Sequence, residues 1–70
     1  MNENISIIVN GETQETPPGL SVSDLLQKLG IPNGRVAIER NLQILPRTAW
    51  SHTKVSSGDR YEIVHFVGGG

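Results

Sequence analysis

Cysteine is missing from this 70-residue chain altogether. Its absence removes thiol nucleophiles, C-x-x-C redox chemistry and thiolate metal sites, and it fits a reducing compartment. Aromatic residues are scarce, with one Trp, one Tyr and one Phe. Neither charge is in excess: six Lys and Arg face seven Asp and Glu, net −1, scattered along the chain. A nucleic-acid binder needs a basic stripe to displace counterions, and none is present. No apolar run approaches the roughly 20 residues that span a bilayer. Met1-Asn-Glu-Asn-Ile5 lacks a basic n-region, so no signal peptide is expected, and the Asn4-Ile5-Ser6 sequon carries no weight without secretion. Two histidines without cysteine or neighbouring carboxylates make no metal site. These exclusions leave a cytoplasmic domain, expected to be monomeric alone, with no metal, membrane or nucleic-acid partner.

A chain this short forms one domain and buries only about 60% of the surface its unfolded form exposes. The pattern nevertheless specifies clear elements. Ile5-Ser-Ile-Ile-Val-Asn10 is β-branched and apolar on both sides, which predicts a central strand. Asn10-Gly11 suits the positive φ angles of a tight hairpin turn, and Glu12 to Thr16 reads as a polar edge strand ended by Pro17-Pro18-Gly19. Ser21 to Gly30 is the main helix. Ser21 and Asp24 have capping-box spacing, Val22, Leu25, Leu26 and Leu29 form one apolar stripe, Gly30 suits the left-handed C′ position, and Pro32 prevents resumption. Val36 to Arg40 and Gln43 to Leu45 read as strands joined by a turn at Asn41-Leu42. Pro46 to Val55 is a polar crossing around Trp50, expected to be a core lid. Ser57-Gly58-Asp59 signals a turn before the last strand, Arg60 to Phe66, whose apolar run predicts contact on both faces.

The order strand, strand, helix, strand, strand, strand gives one helix, which covers one face of a sheet. The expected class is α+β: a ubiquitin-like β-grasp, with a mixed sheet of four to five strands wrapped on the helix and the first and last strands adjacent in its middle. Residues 1–67 form the domain and 68–70 a flexible tail. Alternation puts Tyr61 and Ile63 on one face of the last strand and Val64 and Phe66 on the other. If Tyr61 meets the helix, Val64 and Phe66 join Ile8 in an exposed apolar patch for docking a partner, with Val67 beyond them. Asp59 and Arg60 are expected to be turn and surface residues, and Glu39, Arg40 and Glu62 a solvated face. His65 is a strand residue without a special task, and His52 is solvated.

The chain closes on His65-Phe-Val-Gly-Gly-Gly70. Glycine has no side chain to bury and the most backbone entropy to lose, so such a segment does not order itself. No helix follows it, which excludes a phosphate-binding loop. With "VNGE" at 9–12, "SVSDLLQKLGI" at 21–31, "VAIERN" at 36–41, "LPRTAW" at 45–50 and "GDRYEIVHFVGGG" at 58–70, the sequence resembles the ubiquitin-like sulfur carriers, most closely the ThiS family of thiamine biosynthesis. A proline-rich "TPPG" before the helix departs from the family's pattern and affects loop geometry alone.

The resemblance implies a co-substrate rather than a catalyst, with no catalytic residue of its own. A ubiquitin-activating-like adenylyltransferase would activate Gly70 with ATP and magnesium. A persulfide, on a cysteine desulfurase or the activating enzyme, would convert it to a thiocarboxylate for thiazole synthase. Gly68, Gly69 and Gly70, lacking Cβ atoms, would thread a narrow channel, and Phe66 to Gly70 reaches at most roughly 14 Å. The same tail would serve a carrier for molybdopterin or another sulfur metabolite, or a ubiquitin-like modifier that forms isopeptide bonds. A β-grasp interaction module with incidental glycines is the reading of another class.

Overall fold

The computed structural model describes residues 3–31 and 34–66. Strand β1 (Ile5–Val9) turns through Asn10 and Gly11 into β2 (Glu12–Thr16). Helix α1 (Val22–Lys28) follows, then β3 (Val36–Arg40) and β4 (Gln43–Leu45), a 3₁₀ helix (Arg47–His52), and β5 (Arg60–His65). The five strands form one sheet in the order β2-β1-β5-β3-β4. β1 runs parallel to β5 and every other pairing is antiparallel, so the sheet is mixed. The first and last strands lie side by side in its middle, as their apolar sequences predict. This is the α+β, ubiquitin-like β-grasp arrangement.

Local chemistry sets the helix boundaries. The Ser21 hydroxyl accepts the Asp24 N–H at 3.1 Å while the Asp24 carboxylate accepts the Ser21 N–H at 3.1 Å, a complete capping box. At the other end Gly30 has φ +72°, and two bonds run back, from the Gly30 N–H to the Gln27 carbonyl and from the Ile31 N–H to the Leu26 carbonyl. That pair is a Schellman closure, for which a left-handed residue is required. Seven residues of helix are too few to persist alone. Tertiary burial supplies the difference: Val22, Leu25 and Leu26 are fully enclosed against Ile7, Ile38 and Tyr61. Each such side chain contributes about 2 kcal/mol.

Trp50 closes one end of this core, buried with its indole N–H donated to the Leu45 carbonyl at 3.0 Å. The Arg47 guanidinium lies over its ring, 4.8 Å from the centroid. Thr16, at the end of the otherwise polar β2, is also buried. Pro32 lies outside the described residues.

One expectation is corrected. The apolar run of β5 predicts contact on both faces, yet only its inward residues are covered. Tyr61 is 0% and Ile63 6% exposed, whereas outward Val64 is 56% exposed and Phe66, just past the strand, 55%. A single helix packs on one side of the sheet, and nothing in the described chain reaches the other.

Candidate functional site

The site is organised around β5, which carries the chain towards its glycines. Its entrance is fixed by a buried carboxylate. Asp59 accepts four hydrogen bonds: from the Ser56 N–H at 2.9 Å, the Tyr61 hydroxyl at 2.8 Å, Arg40 Nε at 3.1 Å and Asn41 Nδ2 at 3.2 Å. Arg40 also pairs with it through Nη2 at 3.1 Å. Burial alone pushes the Asp59 carboxyl up, but the donors from Ser56, Tyr61 and Asn41 and the Arg40 charge outweigh it and hold the group below its ordinary value. Burial, together with donation to Asp59, pushes the Tyr61 phenol up to about 12. This network ties the ends of β3 and β5 together.

The sequence predicts a turn surface for Asp59 and a solvated face for Arg40. The structure corrects both: Asp59 is 5% exposed and Arg40 is half-buried against it. A signal was available. Ser56-Ser-Gly-Asp59 repeats the Ser-x-x-Asp spacing of Ser21-Val-Ser-Asp24, and in both the aspartate accepts the N–H of the serine three residues before it. Trp50, by contrast, is buried as a core lid should be.

Beyond Tyr61, strand β1 turns away, and β5 continues without a backbone neighbour on that side. The Asn10 side chain takes the place of the missing strand. Its Oδ1 accepts the Ile63 N–H at 2.7 Å and its Nδ2 donates to the Ile63 carbonyl at 3.3 Å. On the other side β3 pairs with β5 as far as His65, and the Phe66 N–H reaches the Arg35 carbonyl at 2.7 Å. The strand is thereby held to its last described residue.

The outward face carries the exposed apolar groups. Register places Val64 beside Ala37, and Glu62 beside Glu39, which in turn neighbours Ile44 of β4. Together with Leu42 these side chains border a shallow hollow of about 470 Å³. Of the expected docking residues, Val64 and Phe66 stand on this face. Ile8 does not join them: it is half-buried and lies opposite Arg60, four positions along β5 from Val64. Alternation along a strand specifies the face but not the register against a neighbour. Leu42 and Ile44, absent from the expected patch, fill its far side instead. Val67, Gly68, Gly69 and Gly70 lie outside the described residues. Among the described residues no cluster of histidine and carboxylate could hold a metal, and no helix is long and apolar enough to cross a membrane.

The ThiS family model matches residues 7–70, from the first core strand through the final glycine. The chain belongs to the ThiS family. Its similarity to individual family members is spread over nearly all of the fold. It is 38% identical over 50 residues to the sulfur carrier protein ThiS of Bacillus subtilis, covering 71% of this chain and 76% of that one. The crystal structure of the thiamine biosynthesis protein ThiS from Geobacter metallireducens superposes with a TM-score of 0.80 at 33% identity, covering 94% of this chain and 100% of the other. A thiazole synthase of Paramagnetospirillum magneticum is 39% identical over 66 residues, 94% of this chain. The chain spans only 20% of that enzyme's length.

Proposed function

We propose that this protein is the sulfur carrier of thiazole formation in thiamine biosynthesis and that Gly70 is the residue that bears the sulfur. The observation that carries the reading is the family match running through residue 70, on a fold whose central strand leads into the glycines. Similarity to a segment of thiazole synthases supports thiazole synthase as the enzyme that receives the sulfur.

The chemistry accounts for glycines placed after β5. A carboxylate resists attack because its charge is shared by two oxygens, so it first needs a leaving group. On an adenylating partner, a Gly70 carboxylate oxygen attacks the α-phosphorus of magnesium-bound ATP and pyrophosphate departs. The terminal sulfur of a persulfide, supplied by a cysteine desulfurase or held on the activating enzyme, attacks the carbonyl carbon and AMP departs. A second thiol cleaves the S–S bond, leaving a thiocarboxylate on the carrier and a disulfide on the donor. Such thiol chemistry belongs in a reducing cytoplasm, and a carrier without cysteine cannot be trapped in mixed disulfides. Gly68, Gly69 and Gly70 offer no side chain to obstruct entry into the partner's cleft, while the body docks outside through Val64 and Phe66.

The test is an intact mass measurement after incubation with ATP, magnesium, an adenylating enzyme and a persulfide donor. The expected product is heavier by the difference between one sulfur and one oxygen atom, and a variant lacking Gly69 and Gly70 gains nothing. An unchanged mass for the full chain would overturn the reading.

A further inference from the structure

Two asparagines hold β5, one from each hairpin turn. In the first turn Asn10 and Gly11 have φ +51° and +84°, and in the second Asn41 and Leu42 have +53° and +71°. Asparagine enters this left-handed region more readily than most residues with a Cβ. In both turns its side chain is spent on the same strand. From the β3 side, the Asn41 N–H donates to the Arg60 carbonyl at 2.8 Å, its Oδ1 accepts the Arg60 N–H at 2.9 Å and its Nδ2 donates to Asp59 Oδ1 at 3.2 Å. From the β1 side, the Asn10 N–H donates to the Tyr61 carbonyl at 2.9 Å, and the side chain continues to both backbone polar groups of Ile63, at 2.7 and 3.3 Å. The two clamps differ in their surroundings. Asn41 acts beside the Asp59 cluster, where β1 and β3 both pair with β5. Asn10 acts past Val9 and Tyr61, where the register of β1 with β5 ends, so its amide takes the role of a strand.

We propose that Asn10 is a positioning residue for the reaction at Gly70: its clamp on Ile63 sets the line along which β5 presents the C-terminal glycines to the adenylating enzyme. The inference rests on the sulfur-carrier reading and adds a residue to it. Asn10 acts through the strand. Gly70 is seven positions beyond Ile63, a reach of at most roughly 25 Å. A change of about 5° in strand direction at Ile63 moves the end of an extended chain of that length by about 2 Å. Misplacement of a reacting atom by about 1 Å can cost on the order of a hundredfold in rate. Loss of the clamp therefore falls on the step in which the Gly70 carboxylate meets the α-phosphorus, and much less on docking of the body. Asn41 bonds to Asp59 and Arg60, before the Arg40–Tyr61 pair that begins the fixing of β5 to β3. Its removal is not passed on to the exit.

Glycine keeps either turn, since it adopts positive φ freely, and it deletes only the side-chain bonds. The experiment therefore compares Asn10→Gly with Asn41→Gly in the full chain. Urea midpoints read stability, and ATP–pyrophosphate exchange by the adenylating enzyme reads kcat and the KM for the carrier. Both variants are expected to unfold at lower urea. Asn10→Gly is expected to lose about tenfold in kcat with KM kept within about twofold, whereas Asn41→Gly keeps both. In the free protein, the backbone amide order parameters of Val64, His65 and Phe66 are expected to fall in Asn10→Gly alone. Should Asn10→Gly fail to fold, Asn10→Asp is read in its place by the same criteria. Aspartate tolerates the left-handed turn and keeps an acceptor for the Ile63 N–H, but it has no donor for the Ile63 carbonyl. An unchanged kcat in the Asn10 variant, a rise in KM alone, or an equal fall in kcat for Asn41→Gly would overturn the proposal and leave the carrier reading intact. Absence of exchange with the unsubstituted chain would overturn both.

Discussion

Strand β5 is anchored at its entrance and lightly held at its exit. Around Asp59 four donors converge on one buried carboxylate, and β1 and β3 both pair with the strand. Past Tyr61 the β1 side is represented by a single asparagine side chain, and the outward residues Val64 and Phe66 are more than half exposed. The contrast separates two tasks along six residues of strand. The entrance fixes where the strand points, while the exit leaves apolar surface uncovered. Asp59→Ala tests the first half of the contrast most severely. It leaves the Tyr61 hydroxyl and the Arg40 guanidinium without their acceptor, and the expected loss is roughly 3 kcal/mol. Urea unfolding measures it as a lower midpoint at unchanged slope. A loss below that of any surface substitution would show that the cluster anchors nothing.

Asn10→Ala examines the exit. Two hydrogen bonds to Ile63 disappear, one of them to a half-buried backbone N–H, and the strand loses its surrogate neighbour. The expected cost is about 1.5 kcal/mol, with Ile63 the amide whose hydrogen exchange accelerates most. Exchange that instead rises uniformly along β5 would mean that the asparagine supports the turn and not the strand.

How much of this was legible follows from the range over which each feature is decided. The capping box at Ser21 and Asp24, the Schellman glycine at 30 and the Asn10-Gly11 turn are settled within a few residues, and the sequence displays them directly. The central position of β1 and β5 follows from their apolar runs. Register is different. Alternation predicts Ile8 beside Val64 because both face outward, but the parallel pairing of β1 and β5 sets Ile8 opposite Arg60 and separates them. Arg40 and Asp59 are 19 positions apart and meet only because β3 and β5 pair at that end of the sheet. Leu42 was hidden for a third reason: a leucine in a turn looks ordinary until its φ is known.

The entrance cluster also gives stability a pH signature. The Asp59 carboxyl titrates below its ordinary 3.8 when folded, so its contribution is present above that value and is lost as pH falls through the folded one. The Tyr61 phenol titrates at about 12 against 10.0, so its contribution is complete below pH 10.0 and is lost as pH rises through about 12. Between these limbs the two groups leave stability flat. Asp59→Asn is expected to flatten the acid limb and Tyr61→Phe the alkaline one, read as urea midpoints across the pH range. Unchanged limbs in both variants would assign the pH response to other groups.

Phe66→Asp has the smallest expected effect on the fold and completes the comparison. The side chain is 55% exposed and points away from the core, and the hydrogen bond from its backbone N–H to the Arg35 carbonyl does not depend on it. Stability is therefore expected to change by less than about 0.5 kcal/mol. Affinity for the proposed adenylating partner is another matter. In the proposed docking, a charge placed beside Val64 has to be desolvated without a partner, and binding is expected to weaken at least tenfold. Isothermal titration beside a urea melt reads both quantities on one preparation. A substitution that unfolds the chain would mean that the exit of β5 is structural after all, and full stability with full affinity would mean that the partner never touches it.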